Sequence, residues 1–282
     1  MRVLVVGGTG TVGRAVVHQL AASGVPARVM THSEAPAGRL PPGVDLVTGD
    51  LDRPETLRPA FSGMEAVFLM APSGEAETAR ALSGVAAARE AGVRRVVYLS
   101  AIRSHGSDTI PLVASKIPVE VALRTSPLRC TILRPNHFFQ NDLTLRDVIV
   151  GRGVYPQPLG SRGLNRVDLR DLAEAAVNAI VGEVDGEFPL NGPRGLTGDD
   201  TARVYSEALG RPVRYAGDDL DAWAREAAAV LPAWKVRDSR LAFEHVIRNG
   251  VHASGRDFLA QERLLGHAPR SFEAFVAELG WS

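Results

Sequence analysis

Short runs of β-branched and other apolar residues alternate along this chain with stretches whose apolar positions recur every three to four residues. The runs at 3–6, 27–31, 45–48, 66–70, 95–99, 129–133 and 187–190 read as strands, and the stretches at 11–23, 54–62, 75–91, 115–126, 137–150 and 171–182 as helices. The strands are continuously apolar, as strands covered on both faces are, so the order predicts a parallel sheet between two helical layers. Turn chemistry marks several boundaries. Asp52 to Glu55 reads Asp-Arg-Pro-Glu, a capping-box arrangement ahead of the second helix. Gly24 and Gly92 each follow a helical run where a left-handed C-cap is expected.

The first strand leads directly into Gly7, Gly10 and Gly13 and then into a helical pattern. Strand, glycine turn and helix N-terminus in that order form an anion cradle, because unpaired backbone N–H groups and the helix dipole face outward there. The ligand this implies is a dinucleotide pyrophosphate held by Gly7, Thr9, Gly10, Thr11, Val12 and Gly13. Gly7 permits the turn, Gly10 the close approach of phosphate, and Gly13 close packing of the helix on the sheet. The expected fold is α/β, a doubly wound parallel sheet of the Rossmann type whose first six strands bind the nucleotide.

Past Gly151 the period is lost in GRGVYPQPLGSRGLN, and beyond Pro193 helices are predicted near 198–209, 218–230, 235–249 and 271–279. Residues 1–150, completed by 166–192, are read as the nucleotide-binding domain; 151–165 and 193–282 form a smaller, mostly helical substrate-binding region.

Composition narrows the class. Thirty-two basic residues balance 32 acidic ones, which gives no argument for nucleic acid or an anionic membrane as partner. No apolar stretch approaches the roughly 20 residues of a spanning helix, and with the first strand at the very start of the sequence no signal peptide is expected. The single Cys130, in CTILRP, reads as a buried core thiol. A cytoplasmic monomer or homodimer acting on a small organic molecule is expected.

Other positions follow from the ends of the strands. The second strand ends in Thr31-His32-Ser33, with Glu34 one step on, where an NAD-binding domain carries an acid for the ribose. Hydroxyls and an imidazole accept an extra phosphate better than a carboxylate does, so NADP is favoured, with NAD the alternative. Arg14 and Arg39 are the nearby cations. Asp50 and Leu51 are placed for the adenine, and Met70, Ala71 and Pro72 for the path towards the nicotinamide ribose. Lys116 and Lys235 are the chain's only lysines, and Lys116 starts the helix after the fifth strand, where an ammonium would bridge ribose hydroxyls. Ser100 and His137 are the candidate proton donors, His105 a weaker one. Pro135 and Asn136 are expected to meet the nicotinamide through their backbone. Trp223, Trp234 and Phe138 are candidates to line an apolar pocket. There is no Cys/His spacing for a metal, no P-loop and no G-x-S-x-G elbow.

Taken together, GGTGTVG, GDLDRPETLRPAFSGMEAVFLMAPS, AAAREAGVRRVVYLSA, ILRPNHFFQN, VDLRDLAEAAVNAIV and LLGHAPRSFEAFV resemble the NmrA-like family of atypical short-chain dehydrogenases/reductases. That group includes triphenylmethane reductase and type 2 quinone oxidoreductase, and the resemblance spans nearly the whole chain. It implies a Rossmann domain with a small substrate domain, NADPH as the usual cofactor, and hydride transfer to a quinone, enone or dye-like acceptor. The family's namesake implies the alternative of a nucleotide sensor without turnover. Two departures stand out. Thr31 occupies a place where relatives often carry an Arg for the 2′-phosphate, and Leu112 stands where the Tyr of a Tyr-x-x-x-Lys pair would precede Lys116.

Overall fold

The computed structural model describes residues 1–32 and 40–281. In chain order the elements are β1 (Val3–Val6), α1 (Thr11–Ala22), β2 (Ala27–Thr31), β3 (Asp45–Thr48), α2 (Arg58–Phe61), β4 (Ala66–Leu69), α3 (Glu77–Glu90), β5 (Arg95–Leu99), α4 (Pro111–Ala114), α5 (Ile117–Arg124) and β6 (Arg129–Pro135). They continue with α6 (Arg146–Arg152), β7 (Val154–Tyr155), α7 (Leu169–Val181), β8 (Gly186–Leu190), α8 (Gly198–Leu209), β9 (Arg214–Tyr215), α9 (Leu220–Ala227), α10 (Ala233–Asn249), α11 (Gly255–Leu265) and α12 (Phe272–Glu278).

The main sheet runs β3-β2-β1-β4-β5-β6-β8, and β1 to β6 pair in parallel, Val3 opposite Ala27 on one side and Ala66 on the other. This is the doubly wound order, with the chain reversing direction of travel at β1 and β4. The apolar strands are buried along their length, as expected for strands covered on both faces. Alternate residues face opposite layers: Leu4, Val67, Val96 and Ile132 pack with Phe61 of α2, Val85 of α3 and Val119 of α5. Helices α1 and α7 pack on one another.

The chain divides into two compact units, the first made of 1–102, 113–134 and 169–188, the second of 103–112, 135–168 and 189–282. Residues 135–150, which the helical period had placed with the first domain, fall in the second unit. There an aromatic cluster dominates, with Phe139 edge-on to Phe272 at 5.1 Å and Tyr205 stacked on Trp281 at 5.7 Å.

Several predicted helices are interrupted. The 54–62 stretch is a 3₁₀ turn at Pro54–Thr56 followed by α2, and no capping box forms. Instead the Asp52 carboxylate takes a bidentate bond from Arg80, which holds it below the ordinary carboxylate range, and Asp50 N donates to Thr56 Oγ1 at 2.9 Å. The 115–126 stretch breaks at Lys116, with Pro118 in the first turn of α5. The 137–150 stretch starts as a 3₁₀ helix at Phe139–Leu145. Gly24 and Gly92 do adopt left-handed backbone, φ +66° and +70°. Cys130 is half-buried rather than fully buried: it packs against the core cluster and lines a pocket of about 390 Å³ with Arg124, Arg129 and Glu187 where β6 and β8 begin. Among the described residues no helix is long and apolar enough to cross a membrane.

Candidate functional site

At the end of β1 the backbone turns at Gly7, φ +76°, which L side chains rarely adopt. Gly10 N donates to Gly7 O at 3.1 Å, and Gly10 then serves as the N-cap of α1 with extended backbone and no side-chain cap. No acid stands in the first turn. Thr9, Gly10 and Thr11 are exposed and Val12 is half-buried. The outcome is a solvent-facing helix N-terminus whose leading amides lack a side-chain partner, the arrangement that binds phosphate. A Cβ at Gly13 would collide with the Gly7 carbonyl oxygen and lie 2.7 Å from Gly8 Cα. Gly13 therefore brings α1 against the turn itself, where the sequence suggested the sheet. The Arg14 guanidinium reaches Thr9 O at 3.4 Å.

Because β1 to β6 are parallel, their carboxyl ends share this edge. Thr31 is half-buried and accepts from Gly49 N at 3.0 Å, and His32 is exposed. Ser33, Glu34 and Arg39 lie outside the described residues. Asp50 accepts from Asp52 N at 2.9 Å and has Arg53 3.7 Å away, so its carboxylate serves the local turn. Leu51 is 7% exposed and belongs to the core cluster. The Met70 side chain lies where a Cβ on Gly7 would meet Met70 Cγ at 3.1 Å; Ala71 is buried and Pro72 exposed.

Ser100 and Lys116 are both buried and committed to carboxylates the sequence reading passed over. Ser100 Oγ donates to Glu120 Oε1 at 2.6 Å, and Arg134 closes on the same carboxylate at 2.9 and 2.6 Å. Burial raises the Glu120 pKa, but the bonds from Arg134 and Ser100 outweigh it and hold the carboxyl below its ordinary value. Lys116 Nζ bonds Glu77 Oε1, while Ser115 Oγ donates to Glu77 Oε2 at 2.8 Å. Lys116 is thus no surface lysine. Its ammonium lies 6.0 Å from the centre of the Tyr98 ring, whose buried hydroxyl has no hydrogen-bond partner. Burial, with Glu77 and Glu120 nearby, pushes the Tyr98 pKa well up, so the phenol stays protonated. The spacing Lys116-x-x-x-Glu120, one helical turn, was the signal available for Glu120; Glu77 had none beyond its place in the first turn of α3.

In the second unit, Asn136 is spent on structure. Its N–H donates to Leu190 O at 2.9 Å, and its side chain joins Asn191 Oδ1 at 3.1 Å and Val251 O at 3.2 Å. Pro135 ends β6 and is buried. His137 Nε2 lies 3.0 Å from Gln157 Oε1 and 3.2 Å from Asn141 Nδ2. Burial and the Arg166 cation depress its pKa to about 3, so the ring is neutral near pH 7. Trp223 meets Phe243 edge-on at 5.0 Å, and the His137 ring lies 6.4 Å from Phe243. Phe138 and Trp234 are half-buried, His105 exposed and Leu112 46% exposed.

Comparison with known proteins decides the family, because the model of the NmrA-like family matches residues 1–221. The chain belongs to the NmrA-like family. It is 32% identical over 222 residues to the NAD(P)H azoreductase of Xenophilus azovorans, covering 78% of each chain. It is 30% identical over 279 residues to the (4-alkanoyl-5-oxo-2,5-dihydrofuran-3-yl)methyl phosphate reductase of Streptomyces griseus, covering 98% of this chain and 97% of that one. Its fold is shared with the NADPH-dependent quinone oxidoreductase QOR2 of Escherichia coli, solved in complex with NADPH, at a TM-score of 0.86, 23% identity and coverage of 98% and 99%.

Proposed function

We propose that this NmrA-like chain is an NAD(P)H-dependent reductase that binds NADP in its first unit and reduces a small conjugated or carbonyl-type organic acceptor. The observation that carries the reading is the turn at Gly7 to Gly13. It presents an uncapped helix N-terminus with Thr9, Gly10 and Thr11 open to solvent, and no residue with a Cβ fits at Gly13 without moving the turn. These residues would hold the pyrophosphate, with Thr31 and His32 at the adenosine ribose and Met70 to Pro72 along the nicotinamide half. When bound, the reduced nicotinamide supplies a hydride. Two relatives at 30% identity or more carry reductase names that include an NAD(P)H donor or an unsaturated lactone.

The chain's own contribution is binding and orientation. Lys116, held in its ion pair with Glu77, places an ammonium at the start of α5, and Ser100, fixed by Glu120, closes the end of β5. No Tyr-x-x-x-Lys phenol is available, so the acceptor is one that takes hydride without that acid: a quinone, an enone or a dye. A non-catalytic nucleotide sensor is the second reading, and one observation favours it: Ser100 and Lys116 spend their polar atoms on buried carboxylates. Titration with NADPH and NADH by calorimetry, followed by NADPH oxidation against quinones, azo dyes and enones, separates the two. Binding with oxidation supports the reductase, binding without it the sensor, and no binding at millimolar nucleotide sinks both.

A further inference from the structure

A methionine side chain lies against the glycine turn. A Cβ built on Gly7 would stand 3.1 Å from Met70 Cγ, 3.3 Å from Sδ and 3.7 Å from Cε, so the thioether fills the space beside Gly7 that a side chain there would occupy. The two residues follow directly on the neighbouring parallel strands β1 and β4, and both belong to the first unit. Both are half-buried.

Of the chain's four methionines, Met70 is the one an oxidant can reach at this turn. Met30 and Met64 are 4% exposed and sit in the core cluster, and Met1 is exposed but precedes β1, at the opposite end of that strand from Gly7. A thioether is flexible, polarizable and apolar, whereas its sulfoxide is bulkier and carries a partially negative oxygen. The turn has little room to yield. Gly7 is held at φ +76°, its carbonyl accepts from Gly10 N at 3.1 Å, and the same oxygen leaves no space for a Cβ at Gly13. A negative oxygen beside that turn also opposes the positive field which the uncapped N-terminus of α1 offers to phosphate.

We propose that Met70 is an oxidative modification site: a peroxide converts its thioether to the sulfoxide, and the oxidised side chain crowds the glycine turn and weakens nucleotide binding. A sulfur lone pair attacks one peroxide oxygen, the S–O bond forms as the O–O bond breaks, and the second oxygen leaves as water, so sulfur gives up the two electrons that the peroxide takes. The change is reversible, because methionine sulfoxide reductases return the thioether. The proposal rests on the reading of the Gly7 to Gly13 turn as the nucleotide site.

The test exposes wild type and Met70→Leu to hydrogen peroxide, removes the peroxide with catalase, locates each added oxygen by peptide mass mapping, and measures NADP⁺ affinity by calorimetry before and after. Oxidised wild type is expected to carry the sulfoxide at Met70 and to bind NADP⁺ about 10-fold more weakly, the worth of one hydrogen bond to a charged group. Met70→Leu is expected to keep through the treatment whatever affinity it starts with. Repair of the oxidised wild type by a mixture of the two methionine sulfoxide reductases is expected to restore binding, which oxidation of Cys130 would not allow. Sulfoxide at Met70 with unchanged affinity, peroxide that oxidises Met1 and leaves Met70 intact, the same loss in Met70→Leu, or a loss that outlasts repair of Met70 overturns the proposal. Untreated wild type that does not bind NADP⁺ refutes the nucleotide reading and the proposal with it, whereas binding that survives oxidation of Met70 refutes the proposal alone.

Discussion

Lys116 Nζ is hydrogen-bonded to Glu77 Oε1 with both side chains less than a tenth exposed, a buried ion pair between the start of α5 and the first turn of α3. Two charges removed from water are tolerable because each neutralises the other and Ser115 satisfies the second carboxylate oxygen. Removing one partner strands the other. Glu77→Gln is expected to lower the unfolding free energy by about 3–5 kcal/mol at pH 7. Urea denaturation checks it, and a loss under about 1 kcal/mol would mean that the pair is worth no more than a surface bridge.

The glycine turn separates folding from binding. A Cβ at Gly10 meets nothing but Gly7 O, at 3.4 Å, whereas one at Gly13 overlaps the turn backbone. Gly10→Val is therefore expected to keep stability within about 1 kcal/mol of wild type, the range of an N-cap change, while abolishing NADPH binding by filling the space over the amides. Gly13→Ala is expected to lose both binding and about 2–4 kcal/mol of stability, the range of overpacking and backbone strain. Calorimetric titration beside thermal unfolding distinguishes them; NADPH affinity retained in Gly10→Val would place the nucleotide elsewhere.

His137 makes stability depend on pH. Its native pKa is about 3 against an ordinary 6.5, so below pH 6.5 the unfolded chain takes up the proton first and the folded state loses ground until about pH 3. Between pH 7 and 4.5 this one group costs about 2–3 kcal/mol at 1.4 kcal/mol per pH unit. His137→Asn is expected to flatten that part of the curve. Equal slopes in the two proteins, measured by urea unfolding at a series of pH values, would show that the ring protonates freely in the fold.

The sheet was legible because its strands carry their own signal: Val3 to Val6 and Ala66 to Leu69 are apolar throughout, and only a strand covered on both faces needs that. Gly7 and Gly13 were legible for a related reason, since backbone geometry at those positions excludes side chains. The partners of Ser100 and Lys116 were not, because Glu77 is 39 residues from Lys116 and long-range pairing leaves no local trace. Helix α11 did carry one, the capping box of Ser254 and Asp257, but its apolar positions are sparse and its first residue is Gly255. The Asp-Arg-Pro-Glu signal failed for the opposite reason. Arg80, distant in sequence, competes for Asp52 and wins with three hydrogen bonds.

Asp142 and Arg166 lie fully buried in the second unit, joined by bonds of 3.0 and 2.8 Å. Tyr205 donates to the carboxylate at 3.1 Å, and the guanidinium sits 4.7 Å from the centre of the Phe272 ring. Burial raises the Asp142 pKa, and Arg166 is the largest of the groups that oppose that rise, ahead of the hydroxyls of Tyr205 and Tyr155. Arg166→Met is therefore expected to cost about 3–5 kcal/mol and to leave Asp142 protonated, whereas Arg166→Met with Asp142→Leu, which removes both charges and leaves an apolar pair among Phe139, Phe272 and Tyr205, is expected to recover most of that loss. A urea-unfolding cycle over the four proteins reads the coupling. If the double variant is as unstable as the sum of the single ones, the pair contributes through its shape and its bonds to Tyr155 and Tyr205, not through mutual neutralisation.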